Sequence, residues 1–263
     1  MIKIDNIIKD KKKEVELEEK QEPIEELLKK IKGQPPTRDF FGALKKPGIN
    51  IIAEIKIKSP SMPLKENLNP VDLAKEYEES KISAISVLTD EKYFGGTKEI
   101  MQKVKEITTK PILRKDFIIS EYQIYQARAY GADAILLISH LLNEKKIKKF
   151  IEISRELGME CLVEFNNEQD LEKIPKDAVK IYGRNYRILN NDHNLEKNIH
   201  DDIRKSSSFI DLVPEDTIKV AESSIKSKED INYLKKKGFN AFLIGSLFSE
   251  SKDIKKTINE ILS

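Results

Sequence analysis

The sequence predicts an α/β protein, namely a single (β/α)8 or TIM barrel with an N-terminal helical extension. Three observations lead to this prediction. The chain has 263 residues, and barrels of this kind commonly reach about 250 residues as one domain. Short apolar runs recur every 20 to 40 residues or so, and helical patterns lie between them. Strand and helix alternating eight times predict parallel strands joined by right-handed crossovers, and eight strands close a barrel.

The apolar runs are the predicted barrel strands. They cover residues 51–55, 82–88, 111–117, 133–139, 160–165, 178–183, 217–223 and 240–245. The helical patterns between them include NPVDLAKEYEES, SEYQIYQARAYGA, NEKKIKKFIEISRELGM and SKEDINYLKKKGF, several of which begin at Ser, Asn or Asp and end at Gly. A doubly wound open sheet is the alternative fold. No G-x-G-x-x-G pattern follows the first strand to support it.

Residues 1–48 form the predicted extension, and residues 49–263 form the predicted barrel. The extension contains the helical patterns IDNIIKDKKKEVELEEK and PIEELLKKIK, followed by a stretch rich in helix breakers. The sequence leaves open whether this extension covers the mouth of the barrel or closes its far end.

The charge balance argues against a nucleic-acid-binding protein. The chain has 47 basic and 45 acidic residues, a net charge of +2, whereas nucleic-acid binding normally requires a strongly basic face. The N-terminus lacks the apolar core of a signal peptide, and no window approaches the roughly 18 apolar residues of a membrane span. One cysteine and three histidines argue against a metal cluster. We therefore expect a cytoplasmic protein without a metal site, and its oligomeric state stays open.

The first predicted strand, IIAEIKIKSPS, has charges along one face. With a period of two, Glu54, Lys56 and Lys58 point away from the face that bears Ile51 and Ala53. In an antiparallel sheet that face would lie in water. In a closed barrel it points towards the axis, where charges are tolerated only at the open carboxyl-terminal mouth.

Polar residues also end the other strands, so we expect them to meet at one rim. Lysines alternating with inward-pointing acids indicate an acid/base site, and a ring of structural salt bridges is the alternative. Lys56 and Lys115 follow the first and third strands at neighbouring parts of the rim, and crowding of one cation by the other should lower the lysine pKa. The rim residues are Glu54, Lys56, Thr89, Asp90, Glu91, Arg114, Lys115, Asp116, His140, Glu164, Arg184, Asn185, Glu222, Ser223, Gly245 and Ser246. No role is assigned to His140, His193 or His200.

The loops after the seventh and eighth strands, ESSIKS and IGSLFSES, are rich in small and hydroxyl residues. In barrels this corner often presents backbone N–H groups and a short helix N-terminus to a phosphate. Ordinary turn composition is the alternative.

Six segments together resemble the indole-3-glycerol-phosphate synthase family. They are AEIKIKSPS, SVLTDEKYFGGT, LRKDFI, LVEF, VAESSI and FLIGS, and they span about residues 50 to 250. The resemblance implies a step of tryptophan biosynthesis without a cofactor. In that step 1-(2-carboxyphenylamino)-1-deoxyribulose 5-phosphate is cyclised, decarboxylated and dehydrated to indole-3-glycerol phosphate.

The resemblance also implies roles for single residues. Lys115 would be the general acid that protonates the substrate carbonyl during ring closure, and Glu164 would transfer a proton in the dehydration. Lys56 would bind the anthranilate carboxylate or serve as a second acid. Glu54, Asn185 and Glu222 would hold the substrate hydroxyls and the lysines.

The resemblance implies a substrate-binding set as well. Phosphate would lie against the serines and the glycine of three loops, and two residues would flank the aromatic ring. The phosphate residues are Ser59, Ser223, Ser224, Gly245 and Ser246, the ring residues are Phe94 and Arg187, and Lys58 completes the set.

The chain departs from the family pattern in three places. The family pattern GINNRDL is GRNYRIL here, so Arg184, Tyr186 and Ile188 replace Ile, Asn and Asp. Ser224 replaces the glycine of AESGI, and SPSMP replaces SPSKG. A glycine at the position of Ser224 can adopt φ > 0 and allows close approach to phosphate. Two alternatives therefore stay open: a related phosphate-binding isomerase of the phosphoribosylanthranilate type, and a non-catalytic barrel that binds or associates with other enzymes of the pathway.

Overall fold

Eight parallel strands form a closed barrel, so the predicted fold class is confirmed and the open-sheet alternative is wrong. The computed structural model describes residues 3–60, 68–188, 199–200, 203–204 and 207–263. The barrel strands are β1 (Asn50–Ile55), β2 (Ala84–Leu88), β3 (Ile112–Lys115), β4 (Ala134–Ile138), β5 (Glu160–Phe165), β6 (Ile181–Asn185), β9 (Ile218–Glu222) and β10 (Ala241–Ile244). Two short strands, β7 (Arg187–Ile188) and β8 (Ile199–His200), pair antiparallel in a separate sheet. Each barrel strand hydrogen-bonds to its neighbours in the order β1, β10, β9, β6, β5, β4, β3, β2, and β2 closes on β1.

Helices surround the barrel and precede it. Asn69 shows how they begin, since its side chain accepts a hydrogen bond from the Val71 N–H and Pro70 follows at the first helical position. The α-helices of the described residues are α1 (Ile4–Gln21), α2 (Ile24–Lys32), α3 (Phe40–Leu44), α4 (Pro70–Glu78), α5 (Glu91–Phe94), α6 (Lys98–Ile107), α7 (Glu121–Ala129), α8 (Glu144–Glu156), α9 (Glu168–Glu172), α10 (Lys228–Lys236), α11 (Ser246–Ser249) and α12 (Ile254–Leu262). Short 3-10 helices cover Ser139–Leu141 and Ser207–Leu212. None of the helices in these ranges has the length and apolar character needed to cross a membrane.

The two faces of each barrel strand belong to different apolar clusters. In β1, Ile51, Ala53 and Ile55 pack in the larger cluster beneath the helices. Ile52 packs in the smaller cluster inside the barrel. Because side chains alternate along a strand, Glu54 points inward, one layer nearer the mouth. The inward direction predicted for Glu54 is therefore confirmed.

The N-terminal extension closes one end of the barrel and reaches the other. In α3, Phe40 and Leu44 are fully buried against Ile52 and Ala84, so this helix plugs the amino-terminal end of the barrel. At the opposite end, Ile4 at the start of α1 lines the mouth. The extension therefore plugs the far end of the barrel through α3 and reaches the mouth through the start of α1.

Helix α1 is held at the mouth by a buried lysine. Lys11 is 1% exposed, and its Nζ lies 3.0 Å from Asp90 Oδ2, 3.1 Å from Asp116 Oδ1 and 2.7 Å from Glu14 Oε1. Burial acts to lower the pKa of Lys11, but the charges of Asp116, Asp90 and Glu14 outweigh burial and raise it. Asp116 also accepts a hydrogen bond from Arg114 at 2.9 Å. The extension is thus joined to the residue that directly follows Lys115.

Replacing Lys11 by methionine should lower the free energy of unfolding by about 3 to 5 kcal/mol, because two buried carboxylates lose their cation. Urea unfolding at pH 7 measures this change. The matched control is Lys29→Met, because Lys29 also pairs with a carboxylate on a helix but its side chain is 70% exposed. That control should change the free energy by less than about 1 kcal/mol. Equal effects of the two substitutions would contradict the structural role of Lys11.

Candidate active site

A cavity lined by both charged and apolar side chains lies at the carboxyl ends of the barrel strands. Together with the open solvent above it, the cavity encloses about 1200 Å³. Most of the site residues suggested by the sequence reach it, although they come from segments far apart in the chain. Those that line it are Glu54, Lys56, Phe94, Lys115, Glu164, Asn185, Arg187, Ser223, Ser224, Gly245 and Ser246. The barrel therefore brings the acids and bases of one predicted rim into a common mouth.

Lys115 at the end of β3 is the centre of an alternating chain of charges. Its Nζ lies 3.2 Å from Glu54 Oε2 on β1 and 3.1 Å from Glu222 Oε2 on β9. The other oxygen of Glu54, Oε1, accepts a hydrogen bond from Lys56 Nζ at 2.8 Å. Two lysines and two carboxylates thus neutralise one another at the floor of the mouth.

The carboxylates keep Lys115 charged, so the expectation of a lowered lysine pKa is wrong. Burial acts to lower the pKa of Lys115, but the charges of Glu54, Glu222 and Glu164 outweigh burial and raise it. Burial likewise acts to raise the pKa of Glu54, but Lys56 and Lys115 lower it to about 2. The carboxylate oxygens of Glu54 and Glu222 lie only 3.2 Å and 3.1 Å from Lys115 Nζ, and their charges set the direction of the shift. Lys115 is therefore a charged hydrogen-bond donor.

Glu164 on β5 is a carboxyl group poised near neutral pH. Burial raises the pKa of Glu164 to about 7, and the charge of Glu222 acts in the same direction. Lys115 and a hydrogen bond from the Asn185 side chain act in the opposite direction. Burial also raises the pKa of Glu222, although Lys115 opposes it. A group that titrates near pH 7 can both accept and return a proton under physiological conditions.

The predicted phosphate corner has an unusual backbone. Ser223 and Ser224 after β9 have φ angles of 68° and 57°, in the left-handed region that favours glycine. Gly245 follows β10, and α11 begins at the next residue. Ser224 therefore keeps the backbone conformation that glycine would allow, and the serine side chain makes that conformation costly.

Replacing Ser224 by glycine should raise the free energy of unfolding by about 0.5 to 1 kcal/mol, because the left-handed strain disappears. Ser246→Gly is the matched control, because Ser246 begins a helix and glycine there should lower the free energy by a similar amount. Urea unfolding of both variants checks the two signs. A loss of stability in Ser224→Gly would show that the left-handed backbone at Ser224 is not a source of strain.

Three residues of the predicted site do not line the mouth. Glu222 lies below it and reaches it through Lys115. Strand β1 ends at Ile55, so the alternation does not extend to Lys58, whose backbone N–H instead donates to the Phe94 carbonyl at 3.1 Å. Ser59 is 8% exposed. The substrate contacts assigned to Lys58 and Ser59 stay predictions.

Two of the departures from the family pattern point away from the mouth. Asn185 lines the mouth, so Arg184 before it on β6 points the other way. Tyr186 directly follows β6 and packs in the larger cluster beneath the helices. The guanidinium carbon of Arg184 lies 6.0 Å from the ring centre of Phe165 and 5.0 Å from that of Tyr186. These two changes therefore leave the lining of the mouth intact. The side chain of Ile188 and residues 61–67, which include the Met62 and Pro63 of SPSMP, lie outside the described residues.

Some residues of the mouth receive no role from the sequence. Asn166 lines it, and its side-chain amide donates to the carbonyl oxygens of Asn185 at 3.1 Å and Arg187 at 3.0 Å. The sequence could have indicated Asn166 as a residue of the mouth, because Asn166 directly follows the strand that ends in Glu164 and Phe165. His140 also lines the mouth, with Nδ1 3.4 Å from Asp170 Oδ1, and this contact raises the pKa of His140.

Known proteins match this chain over nearly its whole length. The family model described as Indole-3-glycerol phosphate synthase matches residues 4–261. A relative with that name from Acetivibrio thermocellus is 41% identical over 261 residues, covering 98% of this chain and 98% of the relative. Another, from Thermoanaerobacter sp. (strain X514), is 42% identical over 251 residues, covering 95% and 93%.

A solved structure shows the same architecture at low identity. A chain of the tryptophan synthase a2b2 complex from Pyrococcus furiosus superposes with a TM-score of 0.57 at 16% identity, covering 81% of this chain and 97% of that chain. This likeness shows the barrel fold alone.

Proposed function

The chain belongs to the indole-3-glycerol-phosphate synthase family, the carboxy-lyases of tryptophan biosynthesis, and we propose how its barrel mouth performs the reaction. The substrate is 1-(2-carboxyphenylamino)-1-deoxyribulose 5-phosphate, and the products are indole-3-glycerol phosphate, carbon dioxide and water. One observation supports the proposed mechanism most strongly. A charged lysine, Lys115, lies between two carboxylates in the same mouth as a carboxyl group with a pKa of about 7.

Ring closure joins the aromatic carbon that bears the carboxylate to the carbonyl carbon of the open-chain sugar. As the bond forms, negative charge develops on the carbonyl oxygen. The Lys115 ammonium stabilises this charge and donates a proton to the oxygen, which becomes a hydroxyl group. Loss of carbon dioxide then returns the bonding electrons to the ring and restores its aromaticity. General acid catalysis of this kind is worth about 100-fold to 10,000-fold.

Dehydration removes that hydroxyl group as water and completes the indole. Glu164 accepts the proton that the intermediate must lose, and its pKa of about 7 suits this transfer. The leaving hydroxyl takes a proton from Lys56, or from Lys115 after solvent has returned the proton that Lys115 gave up in ring closure. Asn185 holds Glu164 by a hydrogen bond.

The remaining lining residues bind the substrate in this proposal. Lys56 pairs with the anthranilate carboxylate. Phe94 and Arg187 flank the aromatic ring, and Glu54 and Glu222 hold the lysines. The phosphate lies at the corner formed by Ser223, Ser224, Gly245 and Ser246, which all line the same cavity.

An assay of the purified chain tests this function. Incubation with the carboxyphenylamino deoxyribulose phosphate should produce indole fluorescence and release carbon dioxide in equal amounts. Phosphoribosyl anthranilate is the control substrate, and it should not be consumed. Tight binding of the first substrate without product would favour the non-catalytic alternative, and consumption of the second would favour the isomerase.

Two further points belong to the proposal. A cytoplasmic location is supported by the single cysteine, Cys161, which is a buried free thiol, and cell fractionation would test it. Association with other enzymes of the pathway stays a prediction, which co-purification from cell extract would test.

A further inference from the structure

Gly183 lies inside the barrel at the level of the proposed catalytic groups. In β6, Ile181 packs in the inner cluster and Asn185 lines the mouth. Because side chains alternate along a strand, position 183 between them also faces inward. Its direct partners in the sheet are Glu164 on β5 and Val220 on β9.

The space that a side chain would fill at this position is occupied by Glu222. A Cβ atom built on Gly183 would lie 2.2 Å from Glu222 Oε1 and 3.4 Å from Glu222 Cδ. The next contact, Leu162 Cδ1, would be 3.2 Å away and would have to move by only a few tenths of an ångström. The severe conflict is therefore with one carboxylate oxygen.

The backbone of Gly183 does not itself require glycine. Its φ angle is not among the positive values found at other glycines of the chain, and glycine in the interior of a strand normally weakens the strand. An alanine would suit the backbone here. The requirement for glycine therefore comes from the carboxylate above it.

Glu222 is fixed by a hydrogen bond on one side only. Its Oε2 pairs with Lys115 Nζ at 3.1 Å. Its Oε1 is fully buried and makes no hydrogen bond to the described residues. On that side the position of the carboxylate depends on the shape of the space over Gly183.

We propose that Gly183 is a positioning residue, and that the open space over it seats the Glu222 carboxylate so that Lys115 is held between Glu222 and Glu54. The inference rests on the proposed function for its meaning in catalysis. Gly183 is not part of the cavity lining, so its effect on the reaction passes through Glu222 and Lys115.

The kinetic test is a double-mutant cycle of Gly183→Ala and Glu222→Asp. Displacing a catalytic group by about 1 Å costs on the order of 100-fold, so Gly183→Ala should lower kcat about 10-fold to 100-fold and leave KM nearly unchanged. Aspartate is shorter by one methylene group and withdraws the carboxylate from the clash. In the Glu222→Asp background, Gly183→Ala should therefore cost less than about 3-fold. The same fold loss in both backgrounds, or a change in KM alone, would overturn the proposal.

Gly33→Ala is the matched control, because Gly33 also has an ordinary φ angle and its new Cβ would meet only a backbone oxygen at 3.5 Å. It should leave kcat and KM unchanged. The cycle is also measured as urea midpoints, which do not depend on turnover. Gly183→Ala should lower the midpoint more in the wild type than in Glu222→Asp.

The midpoints separate the two proposals. If the two substitutions are coupled in their urea midpoints but the wild-type chain makes no product, the positioning role of Gly183 would be supported and the proposed function refuted. If Gly183→Ala does not fold, folding of the double variant Gly183→Ala/Glu222→Asp would support the positioning role of Gly183. Failure of the double variant, with Glu222→Asp alone folded, would overturn it.

Discussion

Replacing Lys115 by alanine should lower kcat by at least about 100-fold, and up to about 10,000-fold, because ring closure loses its general acid. KM should change much less, because the residues proposed to bind the phosphate and the aromatic ring are untouched. Steady-state indole fluorescence over a range of substrate concentrations measures both constants. Activity within a few-fold of the wild type would exclude Lys115 as the acid.

Two controls separate chemistry from folding. Lys92→Ala removes a lysine whose side chain is 61% exposed and pairs with Asp10, and it should leave kcat unchanged. Lys115→Ala removes the cation that lies between the carboxylates of Glu54 and Glu222, so the pKa values of these two groups should rise. Circular dichroism and urea unfolding of this variant establish whether it is folded before its kcat is interpreted.

Replacing Glu164 by glutamine should also lower kcat by about 100-fold or more, because glutamine cannot accept a proton. The pH profile provides the specific signature. A carboxyl group with a pKa of about 7 is protonated below that pH and cannot act as a base, so wild-type kcat should rise with pH through about 7. The remaining activity of Glu164→Gln should lack this rise. A rise at the same pH in the variant would assign it to another group.

The same substitution should increase stability at alkaline pH. The pKa of Glu164 is raised in the folded protein, so protonation of this carboxyl group stabilises the fold. This contribution to the free energy of unfolding is complete below the unfolded-state pKa of about 4.3 and disappears as pH rises through the folded-state pKa of about 7. Glutamine is neutral at every pH. Urea unfolding should therefore find Glu164→Gln more stable than the wild type at pH 8, by about 4 kcal/mol at most, and the difference should shrink at pH 4.5. A difference that does not depend on pH would contradict the raised pKa.

The sequence predicted the features that follow from local periodicity. Eight apolar runs at regular spacing indicated the barrel, and the alternation of Ile52 with Ala53 indicated which way Glu54 points. Lys58 shows where this reasoning fails, because the strand ends at Ile55 and the period of two ends with it.

Other features depend on distances between segments that are remote in the chain. The raised pKa of Lys115 comes from carboxylates on β1, β5 and β9, and no local pattern reports how closely these strands bring them together. Lys11 stands in the charged run DKKKEVE, and its spacing from Ile7 and Val15 places it on the buried face of α1. No local pattern reports the carboxylates of Asp90 and Asp116 that pair with it there. Gly183 is the first residue of the segment GRNYRIL, but the carboxylate above it lies on another strand.

The central claim is that Lys115 and Glu164 act at successive steps in one mouth, and a single-turnover experiment tests it most directly. Excess Glu164→Gln enzyme is mixed with substrate labelled in its carboxylate, and released carbon dioxide and indole fluorescence are followed together. We predict release of nearly one equivalent of carbon dioxide while indole formation lags by about 100-fold or more, whereas Lys115→Ala should lose both signals. Loss of carbon dioxide and indole in equal proportion from Glu164→Gln would contradict the division of roles between the two residues.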